Sequence, residues 1–223
     1  MTPATLARRV GVLGGTFDPI HSGHIAIAEA TLGPLKLERV DLVPSFSPPH
    51  RMAQPVAAPW HRWTMTVLGC ADRPGLFASD REIRRGGISY MIETLRSYRA
   101  DGTGLTPVLL LGVDAFADLP SWRQPEELAA EFDIAVLTRP GFDPAAIMRG
   151  LPEWLRRRAG PLDRLAAGAA PDLDGGRIAP LPVPAHPVSA TDIRNRLARG
   201  EPIESLVPEP VAEYIDRYRL YGG

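Results

Sequence analysis

Two histidines stand three residues apart behind a glycine turn, in the run Val10-Gly11-Val12-Leu13-Gly14-Gly15-Thr16-Phe17-Asp18-Pro19-Ile20-His21-Ser22-Gly23-His24. At the mouth of a helix, His21 and His24 share one face. Three chemistries suit such a pair. It could ligate a metal, but that needs a third ligand, and His50, His61 and His186 show no ligand spacing. It could cap or pack the helix. Or two imidazoles could donate hydrogen bonds to a phosphoryl group whose charge grows in the transition state. The third suits its surroundings best, because the turn offers glycines and donors but no obvious nucleophile. A strand that ends in glycines and feeds a helix presents N–H groups to an anion. Thr16 stands where its hydroxyl would meet phosphate oxygens, and Asp18-Pro19 shapes the turn.

A second anion-ready stretch is Ser189-Ala190-Thr191-Asp192-Ile193-Arg194. Ser189 with Asp192 resembles a capping box at a helix start. Hydroxyls and N–H groups there can hold an anion. Arg194 lies one turn beyond Thr191 and can reach a phosphate bidentately. Taken alone, this stretch reads first as an ordinary N-cap with a solvent-facing arginine. Two such helix starts in one α/β chain point to a triphosphate held between them. The first turn is not a Walker A loop, whose spacing and lysine are both absent, and it is not Gly-x-Gly-x-x-Gly.

The elements that must position these residues alternate. Strands are expected at about 9–13, 39–44, 76–79, 106–111 and 134–137. Helices are expected from Ser22 or Gly23 to Thr31, over Pro59–Ala71, from Ser89 (as N-cap) to Arg99, and over 126–131. The Val108-Leu109-Leu110-Leu111 run suits a central parallel strand. Strand–helix alternation implies an α/β fold with a parallel sheet. Residues 143–158 have a helical pattern, and 160–185, rich in Ala, Gly and Pro, is expected to be a loose loop. The pattern is poor over 143–185 and resumes in C-terminal helices over 189–219.

Bulk composition narrows the classes. The chain has 223 residues, 44% of them hydrophobic, with a formal net charge of −1. That is enough apolar material for a core, and the charge gives no general attraction to nucleic acid. Lys36 is the only lysine, so a phosphate-binding cation here is an arginine. The lone Cys70 excludes a disulfide framework and reads as a buried helical residue. No run approaches the roughly 18 apolar residues of a membrane span, and no signal-peptide pattern is present. A cytoplasmic protein without membrane or nucleic-acid partner, monomeric or homo-oligomeric, is expected.

The residues from Gly14 to His24 resemble the glycine-turn and His-x-Gly-His signature of the nucleotidyltransferase superfamily. Ser189 to Arg194 resembles its C-terminal Ser-x-Thr-x-x-Arg motif. Within it the chain is most similar to bacterial nicotinate-nucleotide adenylyltransferases. Supporting stretches are Val43-Pro44 through Pro48-Pro49-His50-Arg51, Asp80-Arg81-Glu82, Ser89-Tyr90, Leu110 to Asp114, Ser121-Trp122, Arg139-Pro140-Gly141 and Leu206 to Val211. The resemblance implies a single Rossmann-like nucleotidyltransferase domain over 1–223, a parallel sheet flanked by helices with a small C-terminal helical segment. It implies transfer of AMP from ATP to nicotinate mononucleotide, with release of pyrophosphate, and Mg²⁺ carried by the ATP rather than by a protein site. By the same resemblance Gly14, Gly15, Thr16 and Phe17 line the ATP side. His21 and His24 stabilise the α- and neighbouring phosphates, and Ser189, Thr191 and Arg194 hold the β- and γ-phosphates. Gly112 and Asp114 contact ribose or base. Tyr90, Met91, Trp122 and Arg51 serve the mononucleotide, with Trp122 placed to stack on the pyridine ring.

Two positions depart from the family pattern. Met91 stands where a Thr often follows the Tyr, and Arg51 where Lys is common, which changes the geometry of the charge. The first leaves the choice between acid and amide mononucleotide open. Other acceptors for the same chemistry are nicotinamide mononucleotide and phosphopantetheine, or the transfer could be cytidylyl. A non-catalytic nucleotide-binding protein is the remaining alternative. The implied reaction is direct in-line attack by the mononucleotide phosphate, without a covalent intermediate. That phosphate is already a nucleophile at neutral pH, so alignment and charge stabilisation suffice.

Overall fold

Short apolar runs alternate with helical stretches along the chain, and they become a sheet flanked by helices. A computed structural model describes residues 8–49, 57–138, 148–159 and 177–222. The strands are β1 (Arg8–Gly15), β2 (Arg39–Pro44), β3 (Leu76–Ala78), β4 (Leu105–Gly112), β5 (Asp133–Thr138) and β6 (Ile178–Pro182). They lie in the order β3-β2-β1-β4-β5-β6. The helices are α1 (Ser22–Leu32), α2 (Pro59–Cys70), α3 (Arg81–Arg85), α4 (Met91–Ala100), α5 (Val113–Asp118), α6 (Pro125–Glu131), α7 (Glu153–Ala159), α8 (Ala190–Ala198) and α9 (Glu209–Arg217). No helix among the described residues is long and apolar enough to cross a membrane.

Two compact units divide the chain. The first comprises the described parts of 1–12, 31–40 and 91–183. Here β4, β5 and β6 run parallel, with Leu109 opposite Ile134 and Val136 opposite Pro180. Both faces of β5 are covered, so all its residues are buried. That is why its sequence reads as a continuous apolar run rather than an alternating one. Ile92, Leu95 and Tyr98 of α4, Phe116 of α5 and Leu128 of α6 complete this core.

The expected loose loop over 160–185 is corrected at its end, where Ile178–Pro182 forms β6. Two prolines in five residues hide this strand, because proline cannot donate to a ladder. They are tolerated because β6 lies at the edge of the sheet. Of the pattern over 143–158, the last turns are helical in α7. Two short helices, α3 and α5, were not apparent from periodicity.

The second unit comprises the described parts of 13–30, 41–90 and 184–223. Helix α2 begins with Pro59, whose missing N–H is no loss at a helix start. Its buried face is Arg62, Met65, Thr66, Gly69 and Cys70, at helical spacing. Cys70 is buried as expected, and burial pushes its thiol up to about 12, which leaves it unreactive. Helix α9 buries Val211 and Ile215 and packs on α2, where His61 Nδ1 lies 2.8 Å from the Tyr214 hydroxyl.

Ser89 does not cap α4. Its hydroxyl accepts from the Phe46 N–H at 2.9 Å, and its own N–H donates to the Ser47 carbonyl at 2.9 Å. It pins the segment after β2 instead, and α4 starts two residues later, at Met91.

Candidate active site

In the second unit, β1 runs on through Gly14 and Gly15 before the chain turns. Phe17 then adopts a left-handed backbone, φ 48°. That conformation is uncommon for a bulky residue and needs surrounding structure to hold it. Part of the support is the Phe17 ring, which is buried and folds back over Gly15. A β-carbon at Gly15 would lie 2.9 Å from it, so a side chain there would push the ring from its place. The ring also meets His24 edge-on, with centroids 4.9 Å apart.

His21 and His24 stack, ring centroids 3.7 Å apart and planes 24° from parallel. Between them stands Gly23, where a β-carbon would come 3.1 Å from His21 Nδ1, a tight contact. The His21 N–H donates to His24 Nδ1 at 3.3 Å. That nitrogen must therefore be bare, and a neutral His24 carries its proton on Nε2. His21 Nδ1 is buried without a hydrogen-bond partner among the described residues. An unpaired acceptor is easier to bury than an unpaired N–H with a better place for its proton, so Nε2 is the donor there too. Burial lowers His21 to about 4. Burial, then the neighbouring His21, lowers His24 well below the ordinary value. At neutral pH the pair is two uncharged rings, each offering one N–H.

The amides at the start of α1 are largely committed. Ser22 N–H donates to the Leu206 carbonyl at 2.9 Å, and the His24 and Ile25 amides both return to the His21 carbonyl. The expectation that this helix start presents its N–H groups to an anion is thus corrected for three of them, Ser22, His24 and Ile25, which are bonded within the protein, while the imidazoles remain.

The second motif lies in the same unit. Ser189 caps α8, its hydroxyl accepting from the Asp192 N–H at 3.1 Å. The Asp192 carboxylate pairs with Arg196 at 3.0 Å. Arg194 Nη2 donates to Thr191 Oγ1 at 3.2 Å, and Nη1 donates to the Asp18 carbonyl at 2.6 Å. The fold thus brings Thr191, Arg194 and the glycine–histidine turn together. Ser189 and Thr191 are exposed, and Thr16 and Arg194 are half-buried.

The other predicted site residues fall in both units. Tyr90 is half-buried in the second unit, and Met91 opens α4 in the first. Also in the first unit, Gly112 ends β4 and Asp114 is in the first turn of α5, both exposed. Trp122 is half-buried and follows the 3-10 turn Leu119–Ser121, its N–H donating to the Leu119 carbonyl at 3.0 Å. Arg51 lies outside the described residues. Among the described residues no group of three or more His, Cys, Asp or Glu could hold a metal ion.

Two residues beside the turn, Arg62 and Tyr221, are not singled out by the sequence reading, in which Asp18 only shapes the turn. Arg62 is fully buried and donates to the carbonyls of Ala57, Thr16 and Phe46. The Asp18 carboxylate accepts from the Ala57 N–H at 3.2 Å and from the Tyr221 hydroxyl at 2.7 Å. Burial and this carboxylate raise the Tyr221 phenol, so it stays a donor. One signal for Arg62 was available: it is the charged member of an otherwise uncharged i, i+3, i+4, i+7 stripe with Met65, Thr66 and Gly69.

Comparison with known proteins follows the same lines. The family model described as cytidylyltransferase-like matches residues 12–196. A probable nicotinate-nucleotide adenylyltransferase of Symbiobacterium thermophilum is 42% identical over 96% of this chain and 95% of its own length. A protein of the same name from Chromobacterium violaceum is 40% identical over 96% of this chain and 98% of its own. Among solved structures, a Plasmodium falciparum nicotinic acid mononucleotide adenylyltransferase complexed with NaAD superposes with a TM-score of 0.70 at 18% identity, covering 96% of this chain and 97% of that one. With its matched residues spanning both motifs, the chain belongs to the cytidylyltransferase-like family and, within it, to the nicotinate-nucleotide adenylyltransferases.

Proposed function

We propose that this protein transfers AMP from ATP to nicotinate mononucleotide, forming nicotinate adenine dinucleotide and pyrophosphate. The observation that carries this reading is the Arg194–Asp18 bond, which ties the Ser-x-Thr-x-x-Arg helix to the turn bearing the stacked histidines. Names carried by relatives at 33–42% identity over nearly the whole chain supply the acceptor.

In this reading the phosphate of the mononucleotide attacks the α-phosphorus of ATP in line, and pyrophosphate leaves. No general base is needed, because the nucleophile is already ionised. His21 and His24 donate Nε2–H to the oxygens on which charge grows, and being preorganised they need no reorientation. Ser189, Thr191 and Arg194 take the β- and γ-phosphates, Arg194 through its remaining N–H donors. The backbone from Gly14 to Phe17 lines the ATP side. Gly112 and Asp114 serve ribose or base, while Tyr90, Met91, Trp122 and Arg51 serve the mononucleotide. Mg²⁺ enters as part of the MgATP substrate. The family match runs through both units, which supports one nucleotidyltransferase domain over 1–223. A cytoplasmic site of action suits these substrates.

The test is pyrophosphate release from MgATP with nicotinate mononucleotide, nicotinamide mononucleotide or phosphopantetheine as acceptor. Fastest release with the nicotinate compound is expected. Preference for another acceptor overturns the assignment, and ATP binding without release for any acceptor overturns catalysis. Met91 makes the comparison of acid with amide the informative one.

A further inference from the structure

The Arg62 guanidinium lies wholly inside the second unit, against three backbone carbonyls. Nε donates to Ala57 at 3.1 Å, Nη1 to Thr16 at 2.6 Å and Nη2 to Phe46 at 3.1 Å. A buried cation is expensive unless its donors are satisfied. Here one planar fork reaches the start of its own helix, the segment after β2 and the glycine turn. Lysine could not span all three.

The Thr16 contact has a consequence for the next amide. In a trans peptide the C=O of one residue and the N–H of the next point in opposite directions. Pulling the Thr16 carbonyl onto Arg62 sends the Phe17 N–H the other way. That N–H has no acceptor among the described residues. Phe17 is also the residue held at φ 48°, so the peptide's orientation is not one the chain adopts unaided.

We infer that Arg62 is a positioning residue for adenylyl transfer: it clamps the Thr16 carbonyl so that the Phe17 N–H is presented to the phosphates of ATP. This rests on the reading of the glycine–histidine turn as the phosphate site. Arg62 touches no reacting atom itself. It acts through the peptide it orients.

Thr16-Phe17 is the only Thr–Phe step in the sequence. Protein labelled with ¹³C′-threonine and ¹⁵N-phenylalanine therefore gives a single amide–carbonyl correlation, from this peptide. In the unsubstituted protein that signal shifts when MgATP is added. In Arg62→Lys, with circular dichroism confirming the fold, the signal is displaced before ATP and no longer responds to it. The kcat/KM for ATP falls at least about tenfold, and KM for the mononucleotide holds. Arg62→Met, which removes the buried charge and keeps the bulk, gives the same result and serves where the lysine variant does not fold. Retention of the ATP-induced shift and of kcat/KM in either folded variant overturns the role of Arg62, leaving it a purely structural clamp. An unsubstituted protein that turns over ATP with no shift at this peptide overturns the phosphate reading beneath it.

Discussion

Arg194 and Asp18, 176 residues apart, are joined by a 2.6 Å hydrogen bond from Nη1 to the Asp18 carbonyl. The same guanidinium donates to Thr191 at 3.2 Å. It is thus oriented before any phosphate arrives, with donors to spare among its five. Lysine would keep the charge and lose the bridge. Arg194→Lys should raise KM for ATP about tenfold, and Arg194→Ala more, with folding intact. Steady-state kinetics over ATP concentration check this. Unchanged kinetics in Arg194→Ala would return the residue to an ordinary surface role.

Substitution of His24 should strike kcat rather than binding. If its Nε2–H donates to charge that develops only in the transition state, losing it costs about a hundredfold or more in kcat. KM for ATP should move far less. Circular dichroism of His24→Ala should match the parent, since His24 is not among the fully buried residues. Full activity in that variant would remove His24 from the mechanism.

How far the sequence reveals this site depends on whether a residue's type and local spacing carry chemistry by themselves. His21, His24, Ser189, Thr191 and Arg194 are legible because their types and spacing carry chemistry. Arg62 is not, because all three of its partners are main-chain carbonyls, which any residue could supply. Asp18 and Tyr221 meet across 203 residues, with no local pattern to join them. The fold shows the same divide. β4 announces itself as an apolar run, whereas the Ile-Ala-Pro-Leu-Pro of β6 reads as a strand only once it is placed at a sheet edge. α3 and α5, at five and six residues, are too short for a period to emerge.

The depressed histidines make stability depend on pH in one direction. His21 is held near 4 in the folded chain against about 6.5 when unfolded. Between those values the unfolded chain binds more protons, so stability is full above about pH 6.5 and is lost as pH falls towards 4. For this ring alone that is worth about 3 kcal/mol. Urea unfolding at pH 7, 6, 5 and 4.5 should show that decline, and His21→Gln should flatten it. An equal slope in both proteins would rule His21 out as its source. MgATP should oppose the effect, because a bound polyanion favours the protonated ring. Its binding near pH 5.5 should then take up protons, seen as a buffer-dependent enthalpy.

Tyr221→Phe removes a hydroxyl that donates to the Asp18 carboxylate, whose same oxygen also accepts from the Ala57 main-chain N–H. A buried hydrogen bond to a charged group contributes roughly 1.5–3 kcal/mol. The variant should lose stability in that range by urea unfolding. A loss under about 0.5 kcal/mol, the scale of a neutral surface change, would show that the contact is dispensable.

Gly23→Ala separates stability from activity. The added carbon would sit 3.1 Å from His21 Nδ1, 3.2 Å from its Cε1 and 3.4 Å from His186 Cβ. Something must yield by a few tenths of an ångström. The imidazole of His21 yields most easily, being a side chain rather than backbone. Helical backbone meanwhile favours alanine over glycine by up to about 1 kcal/mol. The melting temperature should therefore hold or change little, while kcat falls at least about tenfold as the stacked pair loses its register. His21→Ala in the Gly23→Ala background should add less than it does in the parent, because both changes act on one ring. A Gly23→Ala enzyme with parental kcat would show that the chemistry tolerates a displaced His21, and the pair would then owe its arrangement to packing alone.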